Sequence, residues 1–306
     1  MSGALNRGFA YRDQIDARAD GQSALAFLSH HYPHDTESDW RRRIEAGEVL
    51  LRGHAAVPED SLRPGDVLIW NRPPWVEPDV PLDFGVLYED EDLVAVDKPR
   101  GLPTMPAGGF LEHTLLAQVR LRIPEATPMH RLGRGTSGVV LFGRTTTAGR
   151  AVQEAWRRHE VRKIYRALAS GAPREPSFTI DVPIGPVDHP LLGEVFAAKP
   201  DGKRSTSHVT VVEQRAGEVL VDVEIETGRP HQIRIHLAAV GHPLVGDPLY
   251  VAGGIPAPGT RSLPGDLGYC LHAASLSLLH PRTGAALSIL SPPPADLRAA
   301  VERSGS

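Results

Sequence analysis

The 306-residue chain contains a single cysteine, Cys270. One thiol excludes an internal disulfide framework and a cysteine-based zinc site. It is compatible with a reducing compartment. Long apolar runs are missing too: none approaches the ~20 residues that a membrane-crossing helix needs. The opening residues, MSGALNRGFAYRDQ, lack the apolar stretch of a secretory signal, so a cytoplasmic location is the expectation. There is no excess of basic charge. Lys and Arg total 33 against 37 Asp and Glu, a formal net charge of −4. A basic coat over the whole surface is excluded, and any nucleic-acid contact has to be local. Internal repeats and low-complexity tracts are absent. The 41% hydrophobic content is enough for a real core, and 30 Gly with 28 Pro predict many turns. The length fits one large domain, or a catalytic domain with a small appendage.

Residues 1–20 are polar and unpatterned and read as an irregular arm. Ser23–Leu28 and Asp39–Ala46 read as short helices, the second with Thr36 or Ser38 as N-cap and Gly47 as its stop. Strands are expected at Glu48–Leu51 and Val67–Trp70, separated by turns at Arg52–His54 and Pro64–Asp66. The Pro-dense segment Arg72–Pro81 suits neither a helix nor a central strand. It divides the chain into an N-terminal module (1–71), a semi-rigid linker (72–83) and a main domain (84–306). In that domain, strands are expected near Gly85–Tyr88, Leu93–Val96, Gly138–Phe142, Ile164–Ser170, Ser207–Glu213, Val219–Glu226 and Ala285–Leu290. Helices are expected at Thr114–Val119 and Ala148–His159.

Charge is unevenly placed. Residues 79–97 hold seven acids and no Lys or Arg, whereas residues 120–166 hold eleven Lys or Arg against three acids. The basic run is either a set of solvated helix surfaces or a face for a polyanion. Three polar motifs lie within it or beyond it. Met129–Gly138 crowds His130, Arg131, Gly133, Arg134, Gly135, Thr136 and Ser137 before a strand. That pattern suits either a plain β-turn or a loop for phosphate or a polar ring. Lys163-Ile164-Tyr165 opens a strand, where a lone Tyr is commonly core. Thr227–His236 packs Arg229, His231, Gln232, Arg234 and His236 into one segment. As a helix it would set Gln232 and His236 one turn apart on a shared face. Its histidine spacing is wrong for a metal pair. It reads as a site for an anionic ligand or as a solvated basic helix start. Gly241–Tyr250 reads as a structural loop in which Asp247 caps or bonds backbone.

Taken in order, these motifs resemble the RluA-type RNA pseudouridine synthases. The family pattern runs H-R-L-D-x-x-T-S-G, K-x-Y, G-K, T-G-R-x-H-Q-I-R-x-H, G-H-P-x-x-G-D-x-x-Y, L-H-A and H-P. Its counterparts here are His130–Gly138, Lys163/Tyr165, Gly202-Lys203, Thr227–His236, Gly241–Tyr250, Leu271–Ala273 and His280-Pro281, with Asp97-Lys98-Pro99 upstream. The likeness covers about residues 84–300. It implies an α+β pseudouridine synthase fold: a mixed sheet around one RNA cleft. Trp40–Ile44, Gly47, Val49, Gly53 and Pro64–Val67 resemble a degenerate S4-type RNA-binding module, in which Arg41, Arg42 and Arg43 would meet phosphates.

The resemblance also implies the roles. The family carboxylate attacks the nucleotide or takes a sugar proton, and here that position is Gly133, which has no side chain to act with. Tyr165 would pack against a flipped uridine and take its C5 proton. Arg234 matches the arginine that normally pairs with the missing carboxylate and therefore needs another partner. That partner would be Asp97, Asp222, Glu226, a bound phosphate or water, and Asp97 is the first candidate for a substitute carboxylate. His130, Arg131, Arg134, Thr136, Ser137, Lys203, Arg229, His231 and Gln232 would line the RNA site, with no cofactor and no metal. Three functional readings follow. The first is a monomeric synthase acting on uridine in ribosomal or transfer RNA through an atypical active site. The second is a catalytically inactive RNA-binding member of the family. The third is an α+β enzyme for another substrate, sharing only the fold.

Overall fold

The computed structural model describes residues 5–32 and 35–303. The chain divides into two compact units, residues 1–78 and 79–306, with the boundary inside the Pro-dense segment.

In the first unit, strand β1 (Phe9–Gln14) precedes helices α1 (Ala24–His31) and α2 (Glu37–Glu45). Strands β2 (Val49–Leu51), β3 (His54–Ala55) and β4 (Val67–Arg72) complete an antiparallel sheet of order β1-β4-β2-β3. Helix α2 begins with a capping box. The Thr36 hydroxyl accepts from Asp39 N, and the Asp39 carboxylate accepts from Thr36 N. Trp40, Ile44, Leu28 and Trp70 fill a small core. The irregular arm expected at residues 1–20 is corrected for the described part. Phe9–Gln14 alternates exposed and half-buried positions and pairs along its whole length with β4. Residues 1–4 of that arm, and with them part of the opening stretch, lie outside the described residues.

The second unit is built on one large mixed sheet. Its elements are β5 (Gly85–Glu89), β6 (Leu93–Lys98), α3 (Leu115–Arg122), β7 (Thr127–Pro128), β8 (Ser137–Gly143), α4 (Thr146–Arg157) and β9 (Arg162–Ser170). There follow β10 (Ser177–Asp181), a hairpin of β11 (Ile184–His189) and β12 (Gly193–Ala198), β13 (Thr206–Arg215) and β14 (Glu218–Ile225). Then come α5 (Gln232–Ala239), the short pair β15 (Tyr250–Val251) and β16 (Ile255–Pro256), β17 (Leu271–Leu279), β18 (Ala286–Leu290) and α6 (Ala300–Arg303). The sheet runs β10-β13-β14-β9-β17-β8-β6-β5, with β18 on β17 and β7 on β8.

Side chains alternate across a strand with period two, so each strand feeds both faces. In β8, Val140 and Phe142 pack with Leu115 and Val119 of α3, while Val139 and Leu141 pack with Ala148 and Val152 of α4. In β9, Tyr165, Ala167 and Ala169 meet Ile233 and Leu237 of α5, while Leu168 meets Leu297 and Ala299 near the C-terminus. Helices α3 and α5 therefore share one face, and α4 and the C-terminal segment share the other. Strand β17 was not anticipated from sequence, yet it is the central one. It pairs antiparallel with β9 and parallel with β8. At the parallel contact the backbones are so close that a Cβ on Gly138 would fall 2.3 Å from Ala273 O, at a φ of +107°.

Candidate active site

Residues 133–136 form a turn closed by Thr136 N donating to Gly133 O at 3.0 Å. The turn leads into β8 and is tied to the segment after β6. The buried Lys98 Nζ donates to the carbonyls of Pro99 and Leu102 (2.9 and 2.6 Å), and more distantly to Arg134 O at 3.4 Å. Gly101 N donates to the same Arg134 carbonyl, and Thr104 bonds both N and O of Leu132. Burial pushes the Lys98 ammonium down to about 7, against a smaller upward pull from Asp97.

Neither glycine of the turn has a positive φ, so backbone freedom is not why a side chain is missing there. Space is the reason. A Cβ on Gly133 would meet Tyr269 Oη at 2.9 Å, and one on Gly135 would meet Tyr269 Cε1 and Cζ at 2.8 Å. Tyr269 is buried two residues ahead of β17, and its hydroxyl lies 3.3 Å from Thr136 Oγ1. The parallel pairing of β8 and β17 brings the turn and Tyr269 side by side.

The ring of Tyr269 in turn covers Arg234, whose guanidinium carbon is 4.1 Å from the ring centroid and 4.9 Å from that of Tyr250. Arg234 is 2% exposed on α5 and makes a bidentate pair with Asp247, Nε to Oδ2 at 2.7 Å and Nη2 to Oδ1 at 2.8 Å. Its Nη1 donates to Pro264 O. Burial alone would lower its pKa, but the Asp247 hydrogen bonds and charge raise it above the ordinary value. Asp247 Oδ1 also accepts from Leu249 N and Tyr250 N. Helix α5 is buried from Gln232 to Ala238, so the expectation of a solvated basic helix start is corrected. Gln232 and His236 do share a face, because both bond Ser207 Oγ.

Tyr165 lies where the α3 and α5 clusters meet and is partly exposed. Burial of its phenol pushes it up to about 12. His231 precedes α5 with a left-handed backbone, and its Nδ1 is 2.8 Å from Tyr250 Oη. Burial first, then the Arg234 and Arg131 charges, push its imidazole down to about 4.

Residues 92–239 match the family model described as RNA pseudouridylate synthase. An uncharacterized RNA pseudouridine synthase of Synechocystis is 42% identical over 275 residues, covering 89% of this chain and 94% of its own length. The chain belongs to the RNA pseudouridine synthase family. RNA pseudouridine synthase 5 of Arabidopsis thaliana is 38% identical, over 90% of this chain and 89% of that protein. The ribosomal large subunit pseudouridine synthase D of Xanthomonas campestris is 34% identical, over 92% and 88%. The structure of human RNA Pseudouridylate Synthase Domain Containing 1 superposes with a TM-score of 0.57 at 24% identity, covering 72% of this chain and 87% of that one. The second unit thus has the α+β pseudouridine synthase fold with its large mixed sheet, preceded by a small antiparallel module.

Within this pseudouridine synthase fold several expected site residues are placed differently. Asp97 is not the partner of Arg234. It has the strand parity of Leu93 and Ala95 and so lies on the face away from α5, accepting a hydrogen bond from Ser291 Oγ at 2.9 Å. Asp222 is taken by Arg166, and Glu226 by His208. Thr136 and Ser137 are buried beside Tyr269 and His272, not in a cleft. His130 lies against Trp156, with the rings tilted by 31°, and accepts from Leu141 N. Gln232 is buried and engages Thr227, Arg229, Thr206 and Ser207, so it braces the segment rather than facing RNA.

The basic run also disperses in three dimensions. Arg144, Arg162 and Arg166 pair with Glu89, Glu224, Asp222 and Glu302, all outside the run in sequence, and Arg157 and Arg158 pair with Glu154. Among the described residues, Arg131 makes no hydrogen bond or ion pair and is exposed, as is the Lys203 side chain. Arg134 leaves its Nε unpartnered while its guanidinium lies 5.2 Å from the Phe110 ring centroid. Arg229 reaches Arg204 O at 3.4 Å. In the first unit, Arg43 lies over Trp40 and Trp70 and pairs with Asp35, whereas Arg41 and Arg42 form exposed pairs with Glu59 and Asp39.

Sequence reading missed Lys98, Tyr269 and Tyr250. The Lys-Pro motif was visible and could have marked Lys98. No local pattern marks Tyr269, because its partners Gly133, Gly135, Thr136 and Arg234 all lie far upstream. Elsewhere, Asp90, Asp92 and His280 offer ligand atoms within 4.8 Å of one another. Asp90 accepts from Tyr88, His280 and two backbone N–H groups, and Asp92 accepts from Arg282. This is a hydrogen-bonded ion network.

Proposed function

We propose that this protein is an RNA pseudouridine synthase that isomerises uridine in ribosomal or transfer RNA through an atypical active site, with Gly133 where the family carries its carboxylate. It would act as a cytoplasmic monomer with no metal and no cofactor. The observation that carries the reading is the position of Tyr165. It stands part-exposed at the junction of the α3 and α5 clusters, on the same sheet face as the Gly133 turn and Arg234. An aromatic ring there suits a base flipped out of its stack. Arg131, Arg134, Lys203 and Arg229 would contact phosphates. Arg41 and Arg42 of the N-terminal module, read as S4-like, would meet phosphates in their own right. The ribosomal name of the Xanthomonas relative favours ribosomal RNA as the first substrate to try.

A second reading is a catalytically inactive RNA-binding protein. The close fit of Tyr269 over both glycines favours it, because no carboxylate fits at position 133 as the site stands. One experiment separates the two. Unmodified ribosomal and transfer RNA, tritiated at uridine C5, is incubated with the protein, and tritium release is followed. Release that Tyr165→Phe abolishes, with RNA affinity retained, supports the synthase. Saturable, salt-sensitive binding without release supports the inactive protein. Parallel loss of binding and release in Tyr165→Phe would remove Tyr165 from the chemistry.

A further inference from the structure

His231 is one of three described residues other than glycine with a positive φ, at +55°. Such a backbone is strained for a residue with a side chain and persists where the surroundings impose it. Its ring is held in one tautomer. The Tyr250 hydroxyl has a single proton, which it donates to Phe196 O at 2.7 Å. Tyr250 Oη can therefore only accept from His231, and the 2.8 Å contact makes Nδ1 the protonated nitrogen. The lone pair is left on Nε2. That atom has no partner among the described residues, and it keeps some exposed surface.

The other proton acceptors nearby are engaged. The Asp247 side chain is 1% exposed and bound by Arg234 and two backbone amides. Asp97 lies on the opposite face of the sheet. His236 and His272 each use both ring nitrogens. The groups facing His231 are Tyr250, Arg234, Asp247 and Arg131. Their balance, with burial, keeps the imidazole neutral near pH 7, with about the basicity of a carboxylate.

We propose that Nε2 of His231 is the catalytic base that stands in for the carboxylate missing at Gly133. The inference rests on the synthase reading above. In the step it would perform, Nε2 takes the proton from C2′ of the flipped uridine. The C2′–H electron pair becomes a C1′=C2′ double bond as the C1′–N1 bond breaks and its pair leaves on N1. Once the uracil has turned, the imidazolium returns the proton to C2′, and C5 of the uracil anion bonds to C1′. The C5 proton is then exchanged for one on N1, with Tyr165 at that end of the ring. No proton is gained or lost overall.

The test uses the full chain and unmodified ribosomal and transfer RNA tritiated at C5. His231→Gly suits the left-handed backbone and opens space for added imidazole, and His231→Asn tolerates the same φ. Both variants should lose about 10²- to 10⁴-fold in kcat while RNA affinity holds. Free imidazole should restore part of the rate in His231→Gly. Deuterium at C2′ should slow the wild-type protein. Either variant keeping kcat within about threefold of wild type overturns the proposal, as does a parallel loss of RNA binding. Nitrogen-15 spectra give a readout independent of turnover, since an Nε2–H tautomer near neutral pH also overturns it. A wild-type protein that releases no tritium is a different failure. It removes the synthase reading, and the inference falls with it.

Discussion

The hydroxyl of Tyr269 occupies the space that a side chain on Gly133 would enter, 2.9 Å from its Cβ position. The same ring lies against Gly135 and over Arg234, which Asp247 neutralises. Position 133, position 135, the tyrosine and the buried ion pair are thus one packed unit. Arg234 does not need a carboxylate at position 133, and one there would have to displace the Tyr269 hydroxyl.

Placing a carboxylate at position 133 alone should therefore fail. Gly133→Asp is expected to cost about 1–3 kcal/mol of stability by overpacking and to add no activity. Tyr269→Phe removes the hydroxyl that blocks the Cβ and keeps the ring on Arg234. The Gly133→Asp/Tyr269→Phe pair should then recover most of the loss. Urea unfolding of the four proteins of the cycle measures the coupling, and additive effects would show that the two sites do not meet.

Asp247→Asn should destabilise strongly, by about 3–5 kcal/mol, because it leaves the Arg234 charge buried without its partner. Replacing both residues with apolar ones of similar size should cost less than the single change. Thermal or chemical unfolding compares them, and a double variant weaker than Asp247→Asn would refute the argument.

Lys98 makes stability depend on alkaline pH. Below about pH 7 it is protonated in both native and unfolded chains. Between that pH and the unfolded lysine value, about 10.4, only the unfolded chain holds the proton. Stability therefore rises with pH across that window, by up to about 1.4 kcal/mol per unit. Lys98→Met removes this contribution. The difference between the two proteins' unfolding free energies, followed from neutral to alkaline pH, should change in that direction, and a constant difference would contradict it.

The three arginines of α2 should separate by effect. Arg43→Ala should lower the stability of the N-terminal module, since its guanidinium lies 4.8 Å from the ring centroids of both Trp40 and Trp70. Arg41→Ala and Arg42→Ala should leave stability nearly unchanged and weaken RNA binding. Each should reduce the salt slope of log K by about 0.7–0.9 for every phosphate that the arginine had neutralised. Identical behaviour of all three would overturn the distinction.

Much of this protein could be read from local pattern. Alternating and helical periodicities placed α2, α3, α4 and strands β6, β8, β9, β13 and β14 close to their observed ranges, and the motif order pointed to the family. Those features depend on a few neighbouring residues and so survive in one dimension. The opening strand β1 and the central β17 were missed, since each is stabilised mainly by partners far away in sequence. The sequence by itself determined which chemical groups exist: a glycine at position 133, a tyrosine at 165, an arginine at 234. Tertiary structure alone decided what each could do. Strand parity turned Asp97 away from Arg234, and the parallel pairing of β8 with β17 set Tyr269 over Gly133. Burial left Asp247 as the partner of Arg234 and the His231 Nε2 open. Charge compensation and side-chain direction depend on distances through space, and spacing along the chain does not specify those distances.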